Sequence, residues 1–197
     1  MRSAELDVIY TRRSVRSYKP QTLDESTIRE LLDAAVQAPT AVHAEPWVFL
    51  VIQDAGTLKR LSDRGKASWA KQADQHRDLH GVGEATARNH FAHQLANPDF
   101  SLFYDAGTLI VICGKAMGPF VVADCWLAAE NLMLAANAMG LGTCCIGSAI
   151  PALNAPETRA ELGIPADLTA VAPIIVGVPN GDAAPVGRRP PEILYWK

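Results

Sequence analysis

A basic stretch near the start of the chain carries the residue types best suited to binding an anion. Residues 12–19 read Arg-Arg-Ser-Val-Arg-Ser-Tyr-Lys, so four cations and two serine hydroxyls fall within eight residues. Arginine presents a planar fork of donors that suits phosphate oxygens, and a serine hydroxyl can complete the cradle. A second basic pair, Arg188-Arg189, lies near the other end of the chain. We expect both ends to converge on one phosphate group; the alternative is a solvated basic turn.

A glycine-rich segment, residues 140–148, reads Gly-Leu-Gly-Thr-Cys-Cys-Ile-Gly-Ser. It does not open a dinucleotide-binding unit, because no strand is predicted before it and no helix directly after it. Its glycines would let backbone N–H groups approach a planar ligand closely. A helix C-cap followed by a turn explains the same pattern, and both interpretations stay open.

A loop of small and polar residues, 39–47, lies between a predicted helix end and a predicted buried strand. Loops in such a position commonly carry ligand contacts, and His43 is the titratable candidate within it. The alternative for His43 is a loop histidine with ordinary hydrogen-bond partners.

The sequence contains no nucleophile elbow, no Walker loop and no His-Glu-x-x-His motif. Two histidine pairs, with Glu84, have a spacing that would suit metal ligands on a helix: His76 with His80, and His90 with His93. Glycines at positions 81 and 83 argue against one continuous helix there, so a polar surface face is the favoured interpretation. The four cysteines lie in apolar surroundings without zinc-site spacing, which favours buried thiols. No metal is expected.

Hydrophobic periodicity predicts the elements that must position these residues. Helices are predicted over residues 4–11, 54–64 and 120–139, and from a capping box at residues 22–25 to Pro39. A further short helix is predicted to begin at an Asn154 cap. Continuous apolar runs predict buried strands over residues 46–52, 108–113 and 171–178. The apolar tail at residues 193–196 is expected to dock on a sheet, such as that of a partner.

Residues 65–99 are polar and interrupt this pattern. We interpret them as helical pieces that form an excursion or lid over the substrate side. Trp69 and Phe91 are the apolar anchors that could stack on a flat substrate there.

The totals limit the class of protein. With 197 residues, 49% hydrophobic residues and a net charge of -3, the chain reads as one globular domain spanning residues 1–197. The charge gives no expectation of nucleic-acid binding. No signal peptide or membrane-spanning run is predicted, so the expected location is the cytoplasm.

Five segments in this order resemble the FMN-dependent nitroreductase family over nearly the whole chain. They are Arg12-Arg13-Ser14-Val15-Arg16, residues 38–47, the Ala128–Ala136 helix segment, residues 140–147, and Arg188-Arg189-Pro190. The resemblance implies an α+β fold with a central mixed or antiparallel sheet flanked by helices, built as an intertwined homodimer whose C-terminal tail docks on the partner. Two FMN molecules would lie at the subunit interface.

The resemblance also implies the cofactor-binding residues. Arg12, Arg13, Ser14 and Arg16 match the phosphate and flavin segment, and Arg188 matches a C-terminal arginine that reaches the phosphate. The loop of Pro39, Thr40, Ala41 and His43 matches one that contacts the partner subunit's flavin. Ile146, Gly147 and Ser148 match the segment beside the isoalloxazine ring.

Two departures from the family pattern concern the same site. The family often has amides where this chain has His43 and Glu45, and amides at those positions commonly hydrogen-bond the flavin ring. The family also often has a lysine where this chain has Val186, and Arg189 is a candidate substitute.

The leading hypothesis is an FMN oxidoreductase that alternates between two half-reactions. NADH or NADPH would reduce the flavin, and a nitroaromatic, quinone or similar flat acceptor would then take the reducing equivalents. The flavin carries the chemistry, so no protein acid or base is assigned. The first alternative is a flavin-binding protein without nicotinamide turnover, such as a flavin store, sensor or partner-binding subunit. A second, weaker alternative is a metal-dependent enzyme that uses the histidine pairs.

Overall fold

The computed structural model describes residues 3–73 and 93–197, and its centre is a sheet of four strands. The strands are β1 (Trp47–Ile52), β2 (Thr108–Lys115), β3 (Gly142–Cys145) and β4 (Leu168–Gly177). Their order in the sheet is β1-β2-β4-β3, and each neighbouring pair is antiparallel. The predicted α+β fold with a central sheet is confirmed, and the sheet is antiparallel throughout the described residues.

Helices accompany the sheet within the described residues. They are α1 (Ala4–Thr11), α2 (Glu25–Ala35), α3 (Ala55–Ala73), α4 (Val121–Ala138), α5 (Ile150–Leu153) and α6 (Pro156–Leu162). Two short 3-10 turns, Ala41–His43 and Gly147–Ala149, lie in the segments that the sequence analysis singled out. Residues 93–96 are also helical.

The central strand β2 explains why the core has two halves. Its side chains alternate between two apolar clusters, with Leu109 and Val111 in one and Ile110 and Ile112 in the other. The first cluster includes residues of α3 and α5, and the second includes residues of α2 and α4. Both faces of β2 are therefore covered, as its continuous apolar run predicted.

The basic stretch is fixed to the edge of the sheet by backbone hydrogen bonds. Val15 N donates to Thr143 O of β3 at 2.9 Å, and Lys19 N donates to Val178 O just after β4 at 2.9 Å. Asn180 N donates to Ser17 O at 2.9 Å, so the start of the C-terminal tail pairs with the same stretch. The two ends of the chain are thus held side by side.

Three local expectations are wrong. Strand β3 lies within the glycine-rich segment, where no strand was predicted, and it forms there by pairing with β4. Helix α2 is capped by Asp24, whose carboxylate accepts a hydrogen bond from Thr27 N, rather than by the hydroxyl of Thr22. Asn154 caps no following helix; it bonds both backbone groups of Ala170 at 2.9 Å and joins α5 to β4.

Helix α3 is longer than the predicted segment 54–64 and runs into the expected excursion. It continues through Gly65, because Leu102 packs against the helix there and a Cβ at Gly65 would lie 2.4 Å from Leu102 Cδ2. The middle of the expected lid, residues 74–92, lies outside the described residues. Within the described residues, no helix is long and apolar enough to cross a membrane.

Candidate flavin site

The basic stretch and the C-terminal tail line one cavity of about 850 Å³, here called the arginine cavity. Its lining includes Arg12, Arg13, Ser14 and Arg16 from the stretch and Arg188 from the tail. The backbone pairing of residues 14–19 with residues 178–180 brings these two parts of the chain together. Arg189 is exposed and is not among the lining residues, whereas Val186 is.

The arginines of this cavity differ in how far their donors are already engaged. Arg12 Nε lies 3.7 Å from Glu130 Oε1, and its side chain is only 18% exposed. Arg13 Nη1 donates to Tyr10 O at 2.6 Å and to Arg12 O at 2.8 Å. Arg13 therefore uses part of its donor fork to hold the backbone at the end of α1.

A second cavity of about 280 Å³, here called the Gly147 cavity, contains the residues expected beside a flat ring. Ile146, Gly147 and Ser148 line it together with Tyr104 and Arg16. Arg16 is the residue that the linings of both cavities share. Gly147 is exposed, and no heavy atom lies within 4 Å of the place where a Cβ would be, so its backbone is open to a close approach.

The cysteines beside this cavity are poor metal ligands. Burial raises the pKa of Cys145 to about 11, and burial also raises the pKa of Cys144. Both thiols therefore stay protonated at neutral pH, and a thiolate is the form that binds metal or attacks a substrate. Within the described residues, no group of three potential ligands could hold a metal ion. His76, His80 and His90 lie outside those residues, and His93 is exposed.

The loop that contains Pro39, Thr40, Ala41 and His43 lines neither cavity. Its backbone is left-handed at three non-glycine residues, Val42 (φ 48°), His43 (φ 57°) and Glu45 (φ 43°). Residues of this kind rarely adopt such angles, so the surrounding structure must hold the loop.

A hydrogen bond from Ala41 joins this loop to α4, and a second bond, from Glu45, lies within the loop. Ala41 N donates to Asp124 Oδ1 at 3.3 Å, and Glu45 N donates to Thr40 Oγ1 at 3.3 Å. Asp124 is buried in α4, with 4% of its surface exposed. The tip faces outward, because Val42 is 97% exposed and the His43 side chain 92%. His43 Nε2 lies 3.4 Å from Glu45 Oε1.

Trp69 and Phe91 were predicted to lie on the substrate side. Trp69 is half-buried on α3, the helix that contacts the Gly147–Ala149 turn, but it lines neither cavity. Phe91 lies outside the described residues.

A further cavity of about 1020 Å³ lies elsewhere, between α3 and residues 98–107. It contains none of the predicted site residues. Lys66 Nζ in its wall donates to Pro98 O at 3.2 Å and to Phe100 O at 3.0 Å, so this cation is engaged by the protein itself.

Sequence reasoning did not assign a role to Tyr104, Asp124 or Glu130. Asp124 and Glu130 were visible as polar exceptions in an apolar helix, and a buried position for such a residue is a signal of a specific partner. Tyr104 lies in an irregular segment before β2, where the sequence carries no comparable signal.

The two adjoining cavities fit an elongated ligand with an anionic group at one end and a flat ring at the other. Cations and a hydroxyl line the first cavity, and open backbone, apolar side chains and an aromatic ring line the second. This is the donor set that FMN would need from the chain.

Known proteins of this kind share the sequence pattern and the fold. A provisionally named NADH dehydrogenase/NAD(P)H nitroreductase from Archaeoglobus fulgidus is 28% identical over 90% of this chain and 86% of its own length. A 5,6-dimethylbenzimidazole synthase from Rhodospirillum rubrum is 27% identical over 89% of this chain and 82% of its own. The crystal structure of an FMN-bound nitroreductase from Desulfitobacterium hafniense covers 100% of both chains, with 22% identity and a TM-score of 0.81. The profile of the Nitroreductase family matches residues 9–178, and the chain belongs to that family.

Proposed function

We propose that this protein is an FMN-dependent oxidoreductase that takes hydride from NADH or NADPH and reduces a nitroaromatic, a quinone or a similar flat acceptor. The main support for this proposal is that residues 12–16 and Arg188 line one cavity. A second cavity, which shares Arg16 with the first, is lined by Ile146, Gly147 and Ser148. FMN, when bound, supplies the hydride-accepting and hydride-donating chemistry. The tasks left to the chain are binding, orientation and electrostatics.

Each cluster has a separate task in this proposal. Arg12, Arg16 and Arg188 hold the phosphate through charge-assisted hydrogen bonds, and Ser14 adds a hydroxyl. Arg13 holds the backbone that presents them, since its Nη1 is bonded to carbonyl oxygens. The open backbone at Gly147 allows a flat ring to approach closely.

The proposed working unit is a homodimer of single-domain subunits. Large apolar side chains are exposed on the tail and on α4: Ile193, Leu194, Tyr195, Trp196, Val122 and Leu127. Such a surface is costly in water, and a second copy of the chain would cover it. The strained loop of residues 40–45 would then face the partner subunit's cavities, which explains why its tip is held outward.

A flavin-binding protein without nicotinamide turnover is the second candidate. The pair of His43 and Glu45, 3.4 Å apart, favours it, because an imidazole and a carboxylate at the flavin edge would change hydrogen bonding and the redox potential of the flavin. The relative named for 5,6-dimethylbenzimidazole synthesis is consistent with more than one use of this fold.

Two experiments test the proposal in order. The visible absorption spectrum of the purified protein, with the released chromophore identified, should show FMN. Addition of NADH or NADPH should then bleach the flavin absorbance, and a nitroaromatic or quinone should restore it. Bound FMN that neither nicotinamide reduces would support the second candidate instead. A colourless protein that also fails to bind added FMN would contradict both.

A further inference from the structure

Tyr104 is a residue without an assigned role at which several features of the structure meet. It lines the Gly147 cavity together with Arg16 and Ser148. Its backbone lies in the left-handed region, with φ 52°, and that of the next residue, Asp105, has φ 55°. A bulky residue rarely adopts such an angle, and strain of this kind persists where the surroundings fix the residue, which is common at ligand sites.

The aromatic ring of Tyr104 is held on two sides. Phe100 packs edge-on against it, with ring centroids 5.3 Å apart and planes at 84°. The guanidinium carbon of Arg16 lies 5.8 Å from the centre of the Tyr104 ring, within the range of a cation–π interaction. Because Arg16 also lines the arginine cavity, the Tyr104 ring lies beside the cation that the linings of both cavities share.

The phenol of Tyr104 remains a hydrogen-bond donor. Burial raises its pKa above the ordinary 10.0, although the nearby Arg16 acts in the opposite direction. The group is therefore protonated at neutral pH and can donate to a carbonyl oxygen of a ligand.

We propose that Tyr104 is a positioning residue of the flavin site, which fixes Arg16 between the phosphate and ring ends of the ligand and places its own phenol against the flat ring. This inference rests on the proposed function, since it takes the ligand to be FMN. It adds Tyr104 to the Gly147 cavity, where Arg16, Ile146, Gly147 and Ser148 were expected from the sequence.

The first test compares FMN affinity in two variants. Tyr104→Ala removes the ring that supports Arg16 and should weaken FMN binding about two- to fivefold, the size expected of a partly exposed cation–π contact. Tyr104→Phe keeps the ring and should bind FMN within about twofold of the unaltered protein. Thermal unfolding of each variant shows that it is folded.

The second test measures the fluorescence lifetime of bound FMN, which a purely structural role would not change. A phenol in contact with an excited flavin quenches its fluorescence by donating an electron, and a phenyl ring does not. Tyr104→Phe should therefore lengthen the lifetime. Tyr104→Ala, which also removes the phenol, should lengthen the lifetime in the same direction.

The outcomes separate this inference from the proposed function. An unaltered protein that binds no FMN overturns the proposed function and the inference with it. If the unaltered protein binds FMN, a lifetime in Tyr104→Phe equal to its own overturns the contact with the ring. An unchanged affinity in Tyr104→Ala overturns the support of Arg16.

Discussion

At the scale of single residues, Glu130 would compete with a bound phosphate for Arg12 if the proposed function holds. Its carboxylate lies 3.7 Å from Arg12 Nε and lines the same cavity, with about half of the side chain exposed. The negative charge of Glu130 should repel the phosphate. It should also engage Arg12, a cation that the phosphate would otherwise bind.

Replacing this carboxylate should therefore strengthen FMN binding. We expect Glu130→Gln to lower the dissociation constant of FMN about two- to fivefold, in line with the energy of partly exposed ion pairs. Fluorescence titration measures it, and the effect should shrink as salt is added. Glu25→Gln is the control, because Glu25 is exposed and paired with Arg29 on α2. Weaker binding in Glu130→Gln would mean that Arg12 needs Glu130 to be held in place.

Residue roles were harder to predict than residue types. The arginines, the serine and the glycines could be singled out because their chemistry shows in the sequence. The positions of Tyr104 and of the Arg12–Glu130 pair depend on backbone angles and on contacts between distant segments, which local patterns do not encode.

At the scale of elements, the site depends on how closely the basic stretch approaches β3. A Cβ at Gly142 would lie 2.7 Å from Val15 Cγ2 and 2.8 Å from Val15 Cβ. Val15 is buried and bonded to the backbone of Thr143, so it has little room to move.

Gly142→Ala should destabilise the fold by about 1–3 kcal/mol through overpacking and should weaken FMN binding as the basic stretch shifts. Val15→Ala removes both Cγ methyl groups but keeps Cβ, so it relieves part of the clash. The double variant should therefore lose less stability than the two single variants added together, as measured by chemical denaturation. Purely additive losses would show that the two side chains do not meet.

The N-cap of helix α2, which packs beside α4, should stabilise the protein less as the pH falls. Hydrogen bonds from Ser26 and Thr27 lower the pKa of Asp24 to about 2, from an ordinary value of 3.8. A carboxyl group with a lowered pKa in the folded state stabilises the protein above its ordinary pKa and loses that contribution as the pH falls.

The difference in the free energy of unfolding between the unaltered protein and Asp24→Asn should therefore have its full size at about pH 5. It should decrease as the pH falls from about 4 to about 2. Urea denaturation across this range measures it. Glu30→Gln, which removes an exposed carboxylate from the same helix, controls for net charge. A difference in the free energy of unfolding that stays constant down to pH 2 would show that the folded protein does not hold Asp24 ionised.

Long apolar patterns predicted the elements well. The strands β1, β2 and β4 and the helices α1, α2 and α4 lie where periodicity indicated them, because burial on one or both faces leaves a repeating pattern. Strand β3 was missed, since its four residues form a strand only by pairing with β4. The length of α3 was missed because residues 65–99 are polar and interrupt the apolar pattern, whereas Gly65 is buried against Leu102.

At the scale of the whole molecule, the exposed apolar tail points to association. Leu194 and Trp196 are 103% and 84% exposed, so a subunit that worked alone would keep this apolar surface in unfavourable contact with water.

Leu194→Ser combined with Trp196→Ser should shift the protein from dimer towards monomer in analytical ultracentrifugation and should lower FMN occupancy in parallel. Lys197→Ser alters the same tail without removing apolar surface and is the control. A double variant that stays dimeric at micromolar concentration would remove the tail from the interface.

The meeting of the two ends of the chain could be anticipated from two basic clusters, but the reason for it could not. It follows from the pairing of residues 14–19 with β3 and with the segment after β4, a long-range arrangement.

The central claim is that Arg188 and the basic stretch bind the phosphate of FMN, and comparison of FMN with riboflavin tests it most directly. Riboflavin is the same molecule without the phosphate. The unaltered protein should bind FMN more tightly, and Arg188→Ala should cost about 1.5–3 kcal/mol of FMN binding while leaving riboflavin affinity within about twofold. Arg29→Ala, which alters an exposed arginine on α2, should change neither. Equal affinities for the two flavins in the unaltered protein, or an Arg188→Ala variant that still prefers FMN as strongly, would contradict the account.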